Sequence, residues 1–330
     1  MPRSDMPLVL ITHTLPSEWL VSLHGSCRIL SGSLDATYLS PELETRLPDA
    51  EGLLSLLTIP VGESLLNNSP RLKVVSNMAV GVDNIDLEAC TRRGIPVGHT
   101  PGVLTEATAD LTIALLLAIA RRLPQASRDA SQGRWRTWSP SGWLGADLSG
   151  ATLGIVGMGK IGRAVAQRAR GFGMHLVYSD PNPNQDVEGR LGARALPLSN
   201  LLAQSDFISL HVPLTMETRG LINAQTLGSM KSSAYLVNTA RGQVVDTRSL
   251  TDALQAGRIA GAALDVTDPE PLPSDHPLYS LPNCLITPHI GSATLSTRRR
   301  MAEMACENLL AGLFGQRLPF CANPEVYNRD

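Results

Sequence analysis

The chain has 330 residues, 43% of them apolar and 18% charged, with a formal net charge of -2, which is the composition of a soluble globular protein long enough for about two domains. That balance excludes a disordered chain and offers neither a basic footprint for nucleic acid nor a polybasic arm for an anionic membrane, so a small molecule is the expected partner. Five scattered cysteines, Cys27, Cys90, Cys284, Cys306 and Cys321, contain no C-x-x-C pair, and no secretory apolar segment opens the chain. A cytoplasmic protein with no disulfide framework and no metal is therefore expected.

Short β-type runs alternate with helical patterns, as βαβ units around parallel sheets require. Leu8–Thr12, Gly52–Leu57, Lys73–Ser76 and Ile95–Val97 are expected to form one sheet. At Thr100-Pro101-Gly102 a turn dipeptide ends this series, and a helical segment follows from about Thr105 to Leu123. Its apolar stretch Leu111–Ala120 is about half a membrane span and reads as a buried helix. A second strand series follows: Thr152–Val156, His175–Tyr178, Phe207–Leu210, Tyr235–Asn238, Ala260–Leu264 and Cys284–Thr287. After Pro288, Ser292–Gly312 reads as one helix. If that helix packs back on the first sheet, residues 1–100 and 289–330 make one discontinuous α/β domain and residues 101–288 make the other. Two crossings between the domains would then form a hinge over a cleft.

Gly157-Met-Gly159-Lys160-Ile161-Gly162 follows the strand Thr152–Val156 directly and opens a helix running to about Arg170. A lone G-x-G-x-x-G is a weak signal, and its place between strand and helix is what points to a dinucleotide. The glycines allow a tight turn and close approach of backbone to pyrophosphate, and the new helix offers free N–H groups to the anion. Asp180 stands 18 residues beyond Gly162 (180 − 162 = 18), at the end of the next strand. Alone it reads as a turn cap before Pro181; beside the glycine turn it reads as the acceptor for the adenosine ribose. A carboxylate there repels a 2′-phosphate, so NAD(H) is expected over NADP(H).

Arg241, Glu270 and His289 each stand at or just beyond the end of a successive strand of the second series. Singly, they read as a surface arginine, a loop acid between Pro269 and Pro271, and a structural histidine. Together they place a cation, a carboxylate and an imidazole where the ends of an open α/β sheet bind ligands. A guanidinium can pair with a substrate carboxylate in two parallel hydrogen bonds and polarise a neighbouring carbonyl. An imidazolium can donate a proton to the carbonyl oxygen as hydride arrives at carbon. Glu270, as a nearby anion, is expected to favour the charged imidazole.

The runs GMGKIG, HVPLTMETRGLIN, NTARGQVVD, ALDVTDPEPLP and TPHIGSAT resemble the D-isomer-specific 2-hydroxyacid dehydrogenases. Within that family MAVGVDNID, TPGVLTEATAD, WRTWSP and the proline-rich extension after Glu270 look most like glyoxylate/hydroxypyruvate reductases. The resemblance spans nearly the whole chain. It implies two Rossmann-like doubly wound domains, the cofactor domain inserted into a substrate domain, and a homodimer. It also implies NAD(P)H-dependent reduction of a short 2-keto acid, glyoxylate to glycolate or hydroxypyruvate to D-glycerate. Arg241 would then bind and polarise the substrate, His289 act as acid and base, and Glu270 serve as its partner. Val80 and Gly81 would present N–H groups to the substrate carboxylate, with Trp138 of a neighbouring subunit and Ser292 also near the substrate. The nucleotide would be lined by the glycine turn with Lys160 and Ile161, by Asp180, His211, Val212, Pro213, Thr218, Thr239, Ala240 and Asp265, and by Thr108 and Gly291 near the nicotinamide.

Animal members that resemble this chain carry a basic segment where Asp180 stands, so the resemblance transfers the chemistry better than the cofactor. D-lactate-type dehydrogenases differ from this reading by few contacts. NAD-responsive co-repressor scaffolds share the trio but have long flanking extensions, and turnover with a keto acid discriminates between them and an enzyme.

Overall fold

Most strands are short continuous apolar runs, the pattern of a parallel sheet covered by helices on both faces. In the computed structural model, which describes residues 6–328, two such sheets form. The chain divides into two units, one drawn from Met1–Leu104 with Thr294–Asp330 and the other from Thr105–Ala293.

The first unit holds β1 (Leu8–Ile11), β2 (Arg28–Ser31), β3 (Ala50–Ser55), β4 (Val74–Asn77) and β5 (Val97–Gly98). They form one sheet in the order β2-β1-β3-β4-β5, with every pairing parallel. The helix Leu295–Leu313 returns to this sheet: Ser76 Oγ donates to the Ala305 carbonyl at 2.8 Å, and Leu309 and Leu313 share a core with Val9, Leu54 and Val74. The first unit is thus discontinuous in sequence.

The second unit continues with β6 (Thr152–Val156), β7 (His175–Ser179), β8 (Ala193–Ala195), β9 (Phe207–Leu210), β10 (Tyr235–Asn238), β11 (Gly261–Leu264) and β12 (Cys284–Ile286). Its order is β12-β11-β10-β9-β6-β7-β8, again parallel throughout. The order reverses beside β6, so the glycine turn after β6 lies at the switch point where doubly wound sheets take their ligands.

Two strands carry no expectation from the sequence, and both are edges. β2 has an exposed residue at each end, and β8 is only three residues long, so neither shows the apolar run of a central strand. The helix expected over Thr105–Leu123 stops at Ala120, because Arg122 takes a left-handed backbone (φ 52°) and a new helix, Leu123–Ser131, starts with Pro124 in its first turn. The second crossing comes after Ala293 rather than at Pro288, which leaves His289, Gly291 and Ser292 on the second unit. Cys27, Cys90 and Cys306 are buried, as small hydrophobes are, and burial pushes the Cys27 and Cys90 thiols up to about 11. No helix among the described residues is long and apolar enough to cross a membrane.

Candidate active site

The glycine turn is built by three different constraints. Gly157 has φ +93°, and a Cβ there would come within 2.8 Å of the His211 backbone. At Gly162 a Cβ would lie 2.1 Å from the Gly157 carbonyl oxygen, so the helix Lys160–Gly171 packs against the turn only because that position lacks a side chain. Gly159 faces open space, with nothing within 4 Å of the Cβ position. That leaves room for a phosphate against the first-turn N–H groups of Lys160, Ile161 and Gly162, which no preceding turn can satisfy. The residues fit a dinucleotide.

Asp180 does more than its spacing implied. Its Oδ2 accepts from the Met158 N–H at 2.8 Å and its Oδ1 from the Asn182 N–H at 2.8 Å, so the carboxylate ties the end of β7 to the glycine turn. Each oxygen keeps a further acceptor site for a ribose hydroxyl. Arg163 Nε donates to the Met158 carbonyl at 3.0 Å and holds the turn from the helix side.

On the other half of the sheet, β10, β11 and β12 end side by side, and the candidate trio follows from their ends. His289 Nδ1–H donates to Glu270 Oε1 at 2.6 Å, and the Thr267 N–H donates to Glu270 Oε2 at 3.2 Å. Burial pushes the Glu270 carboxyl up, but the hydrogen bond and charge of His289, the Thr267 N–H and the charge of Arg241 together hold it below the ordinary carboxylate range. Glu270 is therefore anionic at neutral pH.

Arg241 follows a turn fixed by Asn238, which is 1% exposed: its Nδ2 donates to the Arg241 carbonyl at 2.9 Å and its Oδ1 accepts from the Ala240 N–H at 3.0 Å. Asn238 opens the run NTARGQVVD, but nothing in that run marks it as the residue that fixes the turn. Thr239 is held from another side, its hydroxyl 2.9 Å from that of Thr112. Gly242 brings the Arg241 turn against the Glu270 loop, since a Cβ there would lie 1.9 Å from the Thr267 carbonyl oxygen. Gly242→Ala is expected to force the two loops apart, lowering stability by about 1–3 kcal/mol and cutting kcat. A melting temperature and kcat equal to those of the parent chain would show that the loops yield without cost.

His289 itself has a left-handed backbone, φ 51°. Such a conformation costs a non-glycine residue roughly 1–2 kcal/mol. Asp265, 2% exposed, holds it there. Its Oδ1 accepts from Thr287 Oγ1 at 2.6 Å and from the Ile290 N–H at 2.8 Å, its Oδ2 accepts from the Gly291 N–H at 2.8 Å, and its backbone carbonyl accepts from the His289 N–H at 2.9 Å. Hydrogen bonds to a charged acceptor are worth roughly 1.5–3 kcal/mol each, so the clamp outweighs the strain. Thr108 Oγ1 adds a bond to the Gly291 carbonyl at 3.3 Å.

The remaining predicted residues fall into three groups. His211 is half-buried, with its pKa pushed down to about 3 by loss of solvent around the ring, and pairs through Nε2 with Ser209 Oγ at 2.7 Å. It shapes the His211-Val212-Pro213 turn. Thr218 Oγ1 donates to the Pro213 carbonyl at 2.6 Å and orders the same loop. Ser292 is half-buried, two residues past Ile290, and Trp138 is 79% exposed in the segment after the helix Leu123–Ser131. Val80 and Gly81 lie on the first unit, in the loop after β4.

A cavity of about 480 Å³ lies at the opposite end of β6 and β7, lined by Thr152, Arg170, His175 and Arg194 among others. Helix C-termini point there, and its cations answer them: Arg170 Nη1 donates to the Arg190 carbonyl, the last turn of a helix, at 2.7 Å. With no trio and no glycine turn at that end, it is not the site of chemistry.

Residues 113–291 match the model of the D-isomer specific 2-hydroxyacid dehydrogenase NAD binding domain. A glyoxylate reductase of Korarchaeum cryptofilum is 47% identical over 97% of this chain and 97% of its own length. Among solved structures, a protein from Thermus thermophilus is 49% identical with a TM-score of 0.89, covering 96% of this chain and 99% of its own. The NADPH-dependent glyoxylate/hydroxypyruvate reductase of Sinorhizobium meliloti, solved with NADP and malonate, is 32% identical with a TM-score of 0.83, covering 97% of this chain and 98% of its own.

Proposed function

The chain belongs to the D-isomer specific 2-hydroxyacid dehydrogenases, and from that membership we propose that it reduces glyoxylate, and hydroxypyruvate beside it, with NADH as hydride donor and His289 as proton donor. It is an oxidoreductase of short 2-keto acids, and the observation that carries the site assignment is the His289–Glu270 pair at 2.6 Å. Keto acid, NADH and a proton give hydroxy acid and NAD⁺: the hydride goes to the carbonyl carbon and the proton to its oxygen.

When bound, the nicotinamide supplies the hydride. Arg241 pairs with the substrate carboxylate and polarises the carbonyl, stabilising the negative charge that grows on oxygen. The Nδ1 of His289 is held by Glu270, so Nε2 is the ring nitrogen left to deliver the proton. Glu270 remains anionic and fixes the tautomer and orientation of the ring. Val80 and Gly81 are proposed to hold the carboxylate through backbone N–H groups, and Ser292 to border the substrate.

The second unit is proposed as the NAD-binding domain and the first, discontinuous unit as the substrate domain. The preference for NADH is proposed on Asp180, whose carboxylate, held at the glycine turn by the Met158 N–H, would repel a 2′-phosphate. Asp180→Ala with Pro181→Arg is expected to raise the ratio of kcat/KM for NADPH over NADH by about tenfold or more, the factor set by removing one repulsion and adding one charged hydrogen bond. Loss of the Met158 bond weakens binding of both cofactors, so the ratio is the readout. An unchanged ratio would assign the preference to another loop.

A homodimer is part of the proposal, supported by the exposed large apolar side chains that residues 123–144 carry, Trp135 at 64% and Trp138 at 79% among them, with Leu123 and Leu144 exposed as well. Sedimentation equilibrium tests it. Five unpaired thiols suit a reducing compartment, so a cytoplasmic location is proposed as well. The direct test of the activity is NADH oxidation with glyoxylate, hydroxypyruvate, pyruvate and phenylpyruvate. NADH binding without turnover on any of them would overturn the reading.

A further inference from the structure

In the first unit, the loop that leaves β4 sorts its backbone groups by side. The Ala79 carbonyl accepts from the Thr100 N–H at 2.8 Å. The Val80 carbonyl lies 3.0 Å from His99 Nδ1, and because a carbonyl only accepts, that nitrogen carries the proton. The Gly81 carbonyl accepts from Asn77 Nδ2 at 3.0 Å. A trans peptide is planar, so the N–H of each following residue points away from the carbonyl that is tied down. The N–H groups of Val80, Gly81 and Val82 are thereby turned away from their anchors at the ends of β4 and β5. Among the described residues, none of these three N–H groups meets a protein acceptor. Successive backbone N–H groups left open in this way bind anions.

The anchors are themselves held. Asn77 is fully buried, its Oδ1 accepting from Ser55 Oγ at 3.0 Å and its Nδ2 reaching Asn84 Oδ1 at 3.0 Å. Asn84 Nδ2 in turn donates to the carbonyls of Leu56 at 3.1 Å and Ile59 at 3.0 Å. His99 is fixed through its main chain: its carbonyl accepts from Asn308 Nδ2 at 3.0 Å, and its N–H donates to the Phe320 carbonyl at 3.0 Å. Residues far apart in sequence thus converge on one short loop.

We infer that Asn77 and His99 are positioning residues for the substrate carboxylate and that the Val82 N–H is a third donor beside those of Val80 and Gly81. The inference rests on the proposed role of Val80 and Gly81. Neither side chain touches the substrate; each acts by aiming a peptide. His99 is the better test, because it is only half-buried and its replacement strands one carbonyl, whereas Asn77→Ala would orphan Ser55 and Asn84 as well.

The test uses the full chain with NADH bound and oxamate as the carboxylate probe, following backbone amides by NMR alongside glyoxylate kinetics. Oxamate is expected to shift the amides of Val80, Gly81 and Val82. His99→Leu is expected to raise the oxamate Kd and the glyoxylate KM together by roughly three- to tenfold, the effect of one hydrogen bond, with kcat and the KM for NADH near parent values. His99→Asn keeps a donor at the position of Nδ1 and is expected to restore both. If the three amides respond but His99→Leu changes neither Kd nor KM, the carboxylate site stands and the positioning role falls. Amides that stay silent while oxamate binds would remove the proposed role of Val80 and Gly81, and this inference with it. A joint fall in kcat, NADH affinity and melting temperature would make His99 merely structural and overturn the inference too.

Discussion

His289→Gln is expected to lower kcat for glyoxylate reduction by about 10²- to 10⁴-fold, the contribution of a positioned general acid, with the KM for NADH near the parent value. Glutamine keeps a polar group on the left-handed backbone and cannot become a cationic acid, so the loss reads proton transfer rather than folding. A kcat within about tenfold of the parent, outside the general-acid range, would mean that another group or water delivers the proton. Glu270→Gln reads the pair from the other side. The folded Glu270 carboxyl is held below its ordinary range, so its charge is present above the usual glutamate pKa of about 4.3 and is lost only as pH falls through the lower folded value. The parent should therefore keep the pair intact throughout the neutral and mildly acidic range. Without that anion, the fall-off of keto-acid reduction with rising pH is expected to move to lower pH. A pH profile superimposable on the parent's would show that Glu270 orients His289 without affecting its charge.

Asp265→Ala is expected to cost roughly 10²-fold in kcat, the scale set by a misplacement of about 1 Å at a reacting group. The mechanism is the loss of the clamp: Thr287, Ile290 and Gly291 lose their shared acceptor, and His289 loses the frame that keeps its backbone left-handed. His289→Gly separates the strain from the proton transfer, since glycine adopts that backbone freely and lacks the acid. It relieves roughly 1–2 kcal/mol of backbone strain but also removes the charged hydrogen bond to Glu270, so its melting temperature is expected to stay close to the parent's while kcat falls at least as far as in His289→Gln. If Asp265→Ala instead raised only the KM for NADH and left kcat intact, the residue would act on the nucleotide alone.

Much of this was legible in the chain. Central strands such as Thr152–Val156 and Phe207–Leu210 are apolar runs that a parallel sheet buries on both sides, so their bounds agree with the structure. β2 and β8 were not, because an edge strand is half solvated and needs no apolar run. The trio was visible because charged and imidazole groups at strand ends have a chemical meaning wherever the strands lie. Their supports, Asn238, Thr112 and the second bond of Asp180, are ordinary polar residues whose roles exist only once a backbone group is brought within about 3 Å, the reach of a hydrogen bond.

The sequence by itself determined the chemistry: a glycine turn with an acid 18 residues on, and a cation, a carboxylate and an imidazole after three successive strands. Residue type and spacing along one chain are enough for that, since strand periodicity and turn chemistry are local. The tertiary structure decided the geometry around those groups. A 2.6 Å Glu270–His289 bond, an Asp265 clamp on a left-handed histidine and a loop whose carbonyls are all tied back depend on contacts between strands and loops up to hundreds of residues apart. Those contacts are set by packing and hydrogen-bond satisfaction in three dimensions, which no local pattern encodes.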